Sequence, residues 1–297
     1  MTVRLYLILF FALIMLGAGC DDEGDGTKSG QSFSDCVTNF EQGENFEVVT
    51  FNIQEFPKEN NTIMHTAELL SHINADVVAL QEITTEGALK ELADQMEGWE
   101  YVFTPDPTSY NMSLGYLVKM TEVELIEEET DVWFEDESHY FPRSPFVIKV
   151  RHRDSGTETW LVNLHLKAGG DDESVDRRRV ASNMLKEHID TYYSGDHVIV
   201  AGDFNDELDE EKDIDDVFAN FTVDEEAYRF TDMGIARGDE EYFSYPGWPS
   251  HIDHILITDE WFGHFDTSMT LRPDECFDNY EDYISDHRPV VAIFEFD

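Results

Sequence analysis

Basic residues are scarce in this chain of 297 residues: 19 Lys and Arg stand against 65 Asp and Glu, a formal net charge of −46. That balance argues against any function built on a broad cationic surface, because nucleic-acid binders gain affinity from Lys and Arg that neutralise phosphates. A phosphate-bearing substrate would have to be received locally, by metal ions and a few cations. Net charge bears on solubility and association rather than on fold. It also fits adaptation to high salt, where screening shortens the reach of a charge to a few ångströms. No internal repeat is evident. The apolar run over residues 5–16 is too short for a comfortable membrane span, which takes about 20 residues. What is present is 41% hydrophobic and 13% aromatic residues, enough for a large core. The length suits one β-rich or α/β domain, since such domains often reach about 250 residues.

The N-terminus reads as a targeting segment and is left out of the fold. Arg4 is followed by the apolar run at 5–16, and Gly17, Ala18 and Gly19 precede Cys20. This resembles a bacterial lipoprotein signal over residues 1–19. It implies lipidation at Cys20, export, and membrane anchorage in the periplasm or at the cell surface. Gly17 stands where that signal usually has Leu, so an ordinary secretory signal and a secreted protein remain the alternative. Residues 20–43 are rich in Gly, Ser and acids and read as a flexible tether, with the domain over 44–297. Cysteine is nearly absent, with 3 in all. An exported protein can oxidise Cys36 and Cys276; a bridge between them would tie the tether to the late part of the domain, and two free thiols are the alternative.

The β-branched run Val198-Ile199-Val200-Ala201 leads into Gly202-Asp203-Phe204-Asn205. It reads as a buried strand that ends by presenting oxygen ligands, the kind hard cations take. Alone, the segment is equally a polar turn after a core strand. Other apolar runs end the same way: Val48–Phe51 at Asn52, 77–81 at Glu82, 161–164 at His165. Asp253 starts the run 252–257, and Asp286-His287 precede the run 290–293. Strand ends are a common site of catalysis in α/β proteins. The spacing of apolar residues predicts helices over 62–73, 85–96 and 174–192, the last capped by Ser174. It predicts strands over 46–51, 76–81, 101–103, 114–119, 198–201, 252–257 and 290–294. Strands over 146–150 and 159–164 form an antiparallel pair about an Asp154-Ser155-Gly156 turn. The acidic stretch 206–217 reads as partly helical. The mixed order fits an α/β or α+β sandwich rather than a parallel doubly wound sheet.

Taken together, Phe51-Asn52-Ile53-Gln54-Glu55-Phe56, Leu80-Gln81-Glu82-Ile83, Asn163-Leu164-His165-Leu166, Gly202-Asp203-Phe204-Asn205, Ile252-Asp253-His254-Ile255-Leu256 and Ser285-Asp286-His287-Arg288-Pro289-Val290 resemble, in order, the motifs of the endonuclease/exonuclease/phosphatase superfamily, with wording nearest its deoxyribonuclease I-like members. The resemblance covers roughly 46–297. It implies an α/β fold of four layers, an α/β/β/α sandwich with the site at one end. It implies that Glu82 is the main metal carboxylate, with Asn52 beside it and Asp286 assisting. Asp203 and Asn205 would position the nucleophilic water and a phosphate oxygen, or hold a second ion. His287 would be the general base, oriented by Asp253, and His165 would bind the scissile phosphate or protonate the leaving oxygen. The implied cofactor is Mg²⁺ or Mn²⁺, with Ca²⁺ also possible. The chemistry agrees: a phosphodiester needs its charge neutralised, water activated and a leaving group protonated, and a histidine near its unperturbed pKa can do either proton transfer.

Arg143 and Lys167 are candidate phosphate contacts; Arg143-Ser144-Pro145 resembles an Arg-x-Pro segment used near DNA in the family. Departures narrow the substrate. Gln54 and Thr84 or Thr85 stand where deoxyribonuclease I-like nucleases place arginines. Met112, Ser113 and Leu114 stand where an acid often supports the second catalytic histidine. His251, His254 and His264 have no motif role and read as structural. A calcium loop over 203–214 fails, because Leu208 and Ile214 replace the required Gly and Glu. The sequence therefore reads as an exported metal-dependent phosphoester hydrolase, an endonuclease or phosphodiesterase first. A phosphatase or phospholipase C-like (sphingomyelinase-type) hydrolase of a small phosphorylated molecule or lipid headgroup is the second reading. A non-enzymatic acidic surface lipoprotein is the third. No protein partner follows from the sequence.

Overall fold

Side chains alternate along β1 (Asn45–Phe56), sending Phe46 and Val48 to one face and Val49, Phe51 and Ile53 to the other, and all of them are buried. A strand apolar on both faces needs cover on both sides, and the rest of the chain supplies it. In this computed structural model, which describes residues 32–41, 43, 45–105, 112–208 and 216–296, the other strands are β2 (Val77–Ile83), β3 (Trp99–Thr104), β4 (Ser113–Lys119), β5 (Val123–Leu125), β6 (Asp131–Val132), β7 (Arg143–His152), β8 (Glu158–His165), β9 (Val198–Asp203), β10 (Tyr228–Phe230), β11 (Asp253–Thr258), β12 (Phe265–Thr270) and β13 (Val290–Glu295). The targeting segment, Cys20, the first part of the tether and residues 209–215 lie outside the described residues.

The strands form a six-stranded sheet, β12-β13-β1-β2-β4-β3, and a second sheet, β10-β11-β9-β8-β7-β5, with β6 also on β7. Phe46, Val48, Tyr116, Phe146, Ile148, Ile199, Ile255 and Phe294 share the core between the sheets. Helices α1 (Thr62–Ile73) and α2 (Glu86–Asp94) cover the outer face of the first sheet, through Leu69, Leu70, Leu89 and Leu92. Helix α3 (Asp172–Tyr192) covers the second, through Ala181, Leu185 and Ile189. The layers run α/β/β/α, as expected. Among the described residues no helix is long and apolar enough to cross a membrane.

Pairing direction decides where the polar strand ends meet. β1 and β2 are parallel, joined by α1, and β8 and β9 are parallel, joined by α3. Their C-terminal ends therefore emerge on one side of the sandwich. β13 and β11 run antiparallel to these, so their starts arrive at the same end: Val290 opposes Thr50 and Asp253 opposes Asp203. The sheets are also pinned by polar groups beneath that end. Tyr116 Oη on β4 lies 2.9 Å from the carbonyls of Phe146 and Leu161 in the other sheet. Asn163 Nδ2 donates to Leu80 O and Gly115 O, each at 2.9 Å.

Two expectations need correction. The tether does not run flexibly to residue 43: Phe33, Val37 and Phe40 are buried, Phe33 stacks on Phe277, and Cys36 is disulfide-bonded to Cys276. The apolar residues spaced among the polar ones carry that docking. Helix α3 is capped by Asp171, not Ser174; the Asp171 carboxylate accepts from Ser174 N at 3.1 Å and from Ser174 Oγ at 2.7 Å. The short strands β5, β6 and β10 and the half-polar edge strand β12 carry too little periodicity to be read from sequence.

At the opposite end of the sandwich Glu47 and Asp76 are buried together, with Lys119 nearby. Burial, then the charge of Asp76, raises Glu47 to about 8, and burial raises Asp76 to about 7. A carboxyl whose folded pKa is raised binds more protons folded than unfolded, so its contribution is complete in acid and is lost as pH rises. Melting temperature should therefore fall between about pH 4 and pH 8. Glu47→Gln should flatten that slope and melt above the wild type at the alkaline end. Calorimetric scans across the range check this; an unchanged slope would refute it.

Candidate active site

The strand ends are aimed by irregular backbone. The β1–β2 ladder shifts register between Asn52 and Phe56, and β2–β4 shifts between Leu80 and Ile83. Within these bulges Gln54 (φ 37°), Glu55 (φ 47°) and Glu82 (φ 64°) take left-handed conformations, as does Asn205 (φ 54°) in the turn after β9. Non-glycine residues in that region each cost about 1–3 kcal/mol and cluster at functional sites. Here they turn Glu82 and its neighbours toward one point.

Asp203 lies at the centre. Its Oδ2 accepts from Asn52 Nδ2 at 2.9 Å, and lies 3.4 Å from His165 Nε2 and 4.0 Å from His287 Nε2. Asn52 Nδ2 also reaches Glu82 Oε1 at 3.2 Å, and His165 Nε2 is 3.9 Å from the same oxygen. His287 Nδ1 donates to Asp253 Oδ2 at 2.8 Å, which points Nε2 toward Asp203 and toward Asp286 Oδ1 at 3.9 Å. Asn205 is anchored through its N–H on Asp203 Oδ1 and its Nδ2 on Leu166 O. Asn52, Glu82, His165, Asp203, Asp253, Asp286 and His287 are thus brought into one cluster, with Asn205 at its edge. Arg143 opposes His165 in the β7–β8 register and sends Nη2 to Met112 Sδ at 3.0 Å. Lys167 donates to Ala168 O on its own loop.

Several contacts of the cluster carry no signal in the sequence. Gln54, standing where an arginine is usual, makes a two-point contact: Nε2 donates to Asp286 Oδ2 at 2.8 Å, and Oε1 accepts from Asp286 N at 3.2 Å. Glu55 N donates to Glu82 Oε2 at 3.1 Å. The Tyr245 ring lies 4.9 Å from that of His287. Gln81 Nε2 donates to Asn163 Oδ1 at 2.8 Å under the site.

The surroundings shift the two histidines in opposite directions. Burial lowers His165 far below its ordinary value, and the charges of Arg143 and His287 push the same way. Burial also opposes charge on His287, but Asp253, the hydrogen bond to it, Asp203 and Asp286 outweigh burial and raise His287 to about 10. Asp203 rises to about 7, through burial and then Asp253, with His287 and Asn52 pulling down.

Asp286 Oδ1, Asp253 Oδ1 and His165 Nδ1 are buried without hydrogen-bond partners among the described residues. The residue types at Met112, Ser113 and Leu114 account for His165, since none is the acid that would take its Nδ1–H. Orphaned carboxylate oxygens beside Glu82 and Asp203 form a donor set of hard oxygens, which suits Mg²⁺, Mn²⁺ or Ca²⁺. The residues present fit a divalent ion.

The fold has solved counterparts. A humanized TDP2 of D. rerio has a TM-score of 0.66 at 14% identity, over 86% of this chain and 100% of that one. The human Nocturnin catalytic domain with bound sulfate scores 0.64 at 16% identity, over 91% and 100%. A mannosyl-6-phosphatase of Bacteroides thetaiotaomicron scores 0.57 at 15%, over 83% and 98%. No functionally curated protein matches the sequence. A model of the Endonuclease/Exonuclease/phosphatase family matches residues 49–287, from β1 to His287. With that match, the shared fold and the gathered acids and histidines, the chain belongs to the endonuclease/exonuclease/phosphatase family and is a phosphoester hydrolase of that class.

Proposed function

We propose that this protein is a divalent-metal-dependent phosphodiesterase. The observation that carries the reading is the approach of two imidazoles, His165 and His287, to Asp203 beside Glu82 and Asp286. Glu82 and Asp286, with Asn52, would hold Mg²⁺ or Mn²⁺, which supplies charge neutralisation for the phosphoryl oxygens. Gln54 fixes the Asp286 carboxylate, and Asn52 spaces Glu82 from Asp203. Asp253 fixes the His287 tautomer and turns Nε2 toward the reaction; a cation held by Glu82 and Asp286 would offset the carboxylate charge that raises His287, and the neutral ring would then receive the proton of the attacking water. Asp203 and Asn205 orient that water. His165 meets the scissile phosphate, with Arg143 supporting it. The N-terminal segment supports export and anchorage through Cys20.

The second reading, a phosphatase or phospholipase C-like enzyme, is favoured by Gln54, which is committed to Asp286 and offers no cation to a nucleic-acid backbone. A panel of bis-p-nitrophenyl phosphate, plasmid DNA, sphingomyelin and inositol phosphates, each with Mg²⁺ and with EDTA, separates the two. Diester cleavage in Mg²⁺ that EDTA abolishes is the expected result. Turnover confined to the headgroup or monoester substrates would move the conclusion to the second reading, and turnover undiminished by EDTA would refute metal dependence. A folded protein inert on the whole panel would refute the enzyme.

A further inference from the structure

Behind the site lies a second enclosed cluster, Asp232, His251 and His254. Asp232 Oδ2 accepts from His251 Nε2 at 2.9 Å and from His254 Nδ1 at 2.6 Å, and its Oδ1 accepts from Ile255 N at 3.0 Å. The three side chains have ligand atoms within 4.8 Å of one another, yet their other partners argue against an ion. His251 Nδ1 accepts from Ser244 N at 3.3 Å, so the proton sits on Nε2, where a metal would need a lone pair. His254 Nε2 lies 3.0 Å from the main-chain oxygen of Asp206. Both nitrogens of His254 face oxygen acceptors, so both carry protons, and the charged ring pairs with Asp232 in full burial.

Each contact of His254 leads back to the site. Asp206 follows Asp203 and Asn205 in the turn after β9. Its carboxylate is held from the other side by Arg178, whose Nε and Nη2 reach Asp206 Oδ2 at 3.0 and 2.9 Å. Arg178 Nη1 in turn holds the carbonyls of Lys167 and Gly169, at 2.6 and 2.8 Å, in the loop after His165. On its own strand His254 follows Asp253, the partner of His287, and Asp232 accepts from the N–H of the next residue, Ile255.

We propose that Asp232 and His254 are positioning residues of the phosphoester site: the pair fixes the Asp203–Asn205 turn through Asp206 and fixes Asp253, hence the His287 ring, through β11. The inference rests on the phosphoesterase reading. Reacting groups tolerate only about 0.5 Å of misplacement, and losing a supporting partner behind a site typically costs 10–100-fold in activity.

The test uses the full chain with bis-p-nitrophenyl phosphate and Mg²⁺. Asp232→Asn and His254→Gln should lower kcat about 10–100-fold with KM held within about threefold. His254→Leu, which offers no donor, should lose more than His254→Gln, which keeps one. Val123→Ala, a buried change at the opposite end, should lower stability and leave kcat intact. Folded variants with wild-type kcat, or a loss that only tracks the unfolded fraction, would overturn the proposal. Should the variants not fold, nitrogen-15 spectra of histidine-labelled wild type decide: both ring nitrogens of His254 should carry slowly exchanging protons at neutral pH, and a neutral ring overturns the proposal. A wild type inert on every phosphoester would instead remove the functional reading, and the spectra would still judge the pair.

Discussion

His287→Ala is expected to lower kcat by about 10²–10⁴-fold, the usual worth of a positioned proton-transfer group. The ring has one nitrogen committed to Asp253 at 2.8 Å and the other facing Asp203 and Asp286, which sets its free nitrogen at the reaction. His165 is a poor substitute, because burial disfavours the charged ring that a proton acceptor becomes. Alanine also leaves the buried Asp253 carboxylate without its donor, which costs stability on its own account. His287→Gln separates the two effects: its amide can still donate to Asp253 but cannot carry a proton, so it should melt near the wild type and remain as inactive as alanine. The check is kcat on bis-p-nitrophenyl phosphate beside the melting temperature of each variant. Activity within tenfold of wild type in His287→Gln would remove His287 from the chemistry.

Gly202→Ala should damage the fold itself. A methyl at Gly202 would sit 2.0 Å from Leu164 O, 2.9 Å from Leu164 C and 3.0 Å from Leu164 N. These are main-chain atoms of the neighbouring strand, and no rotamer change can move them aside. The same pairing sets His165 opposite Asp203, so forcing β8 and β9 apart separates two site residues as it weakens the sheet. The destabilisation should exceed the roughly 1–3 kcal/mol of ordinary overpacking, read as a large fall in the urea midpoint with turnover lost in whatever remains folded. A variant unfolding at the wild-type urea concentration would refute so close an approach.

Much of the cluster was legible because Asn52, Glu82, His165 and Asp203 each end an apolar run, and a strand has a fixed direction and side-chain alternation. Once the family order was recognised, Asp253 and Asp286-His287 fell into place as the starts of antiparallel strands. Strand and helix spacing pointed to a mixed α/β sandwich, and the four layers came with the family resemblance. The remainder lay in features with no local pattern. Nothing in Gln54 predicts that its amide faces Asp286, since that depends on a left-handed bulge. Asp232 sits after the three-residue strand β10, far in sequence from His254, so their pairing exists only in the folded chain. Phe33, Val37 and Phe40 were masked by the polar residues around them, and composition weighed more than their spacing.

The bond between Cys36 and Cys276, 240 residues apart, turns nearly the whole domain into a covalent ring. A protease that cuts one surface loop inside that ring opens it without releasing a fragment. Both pieces stay on one molecule, and the sheets that pair across the cut remain in register to close again. Dismantling the domain takes a second cut or a reductant as well as the first.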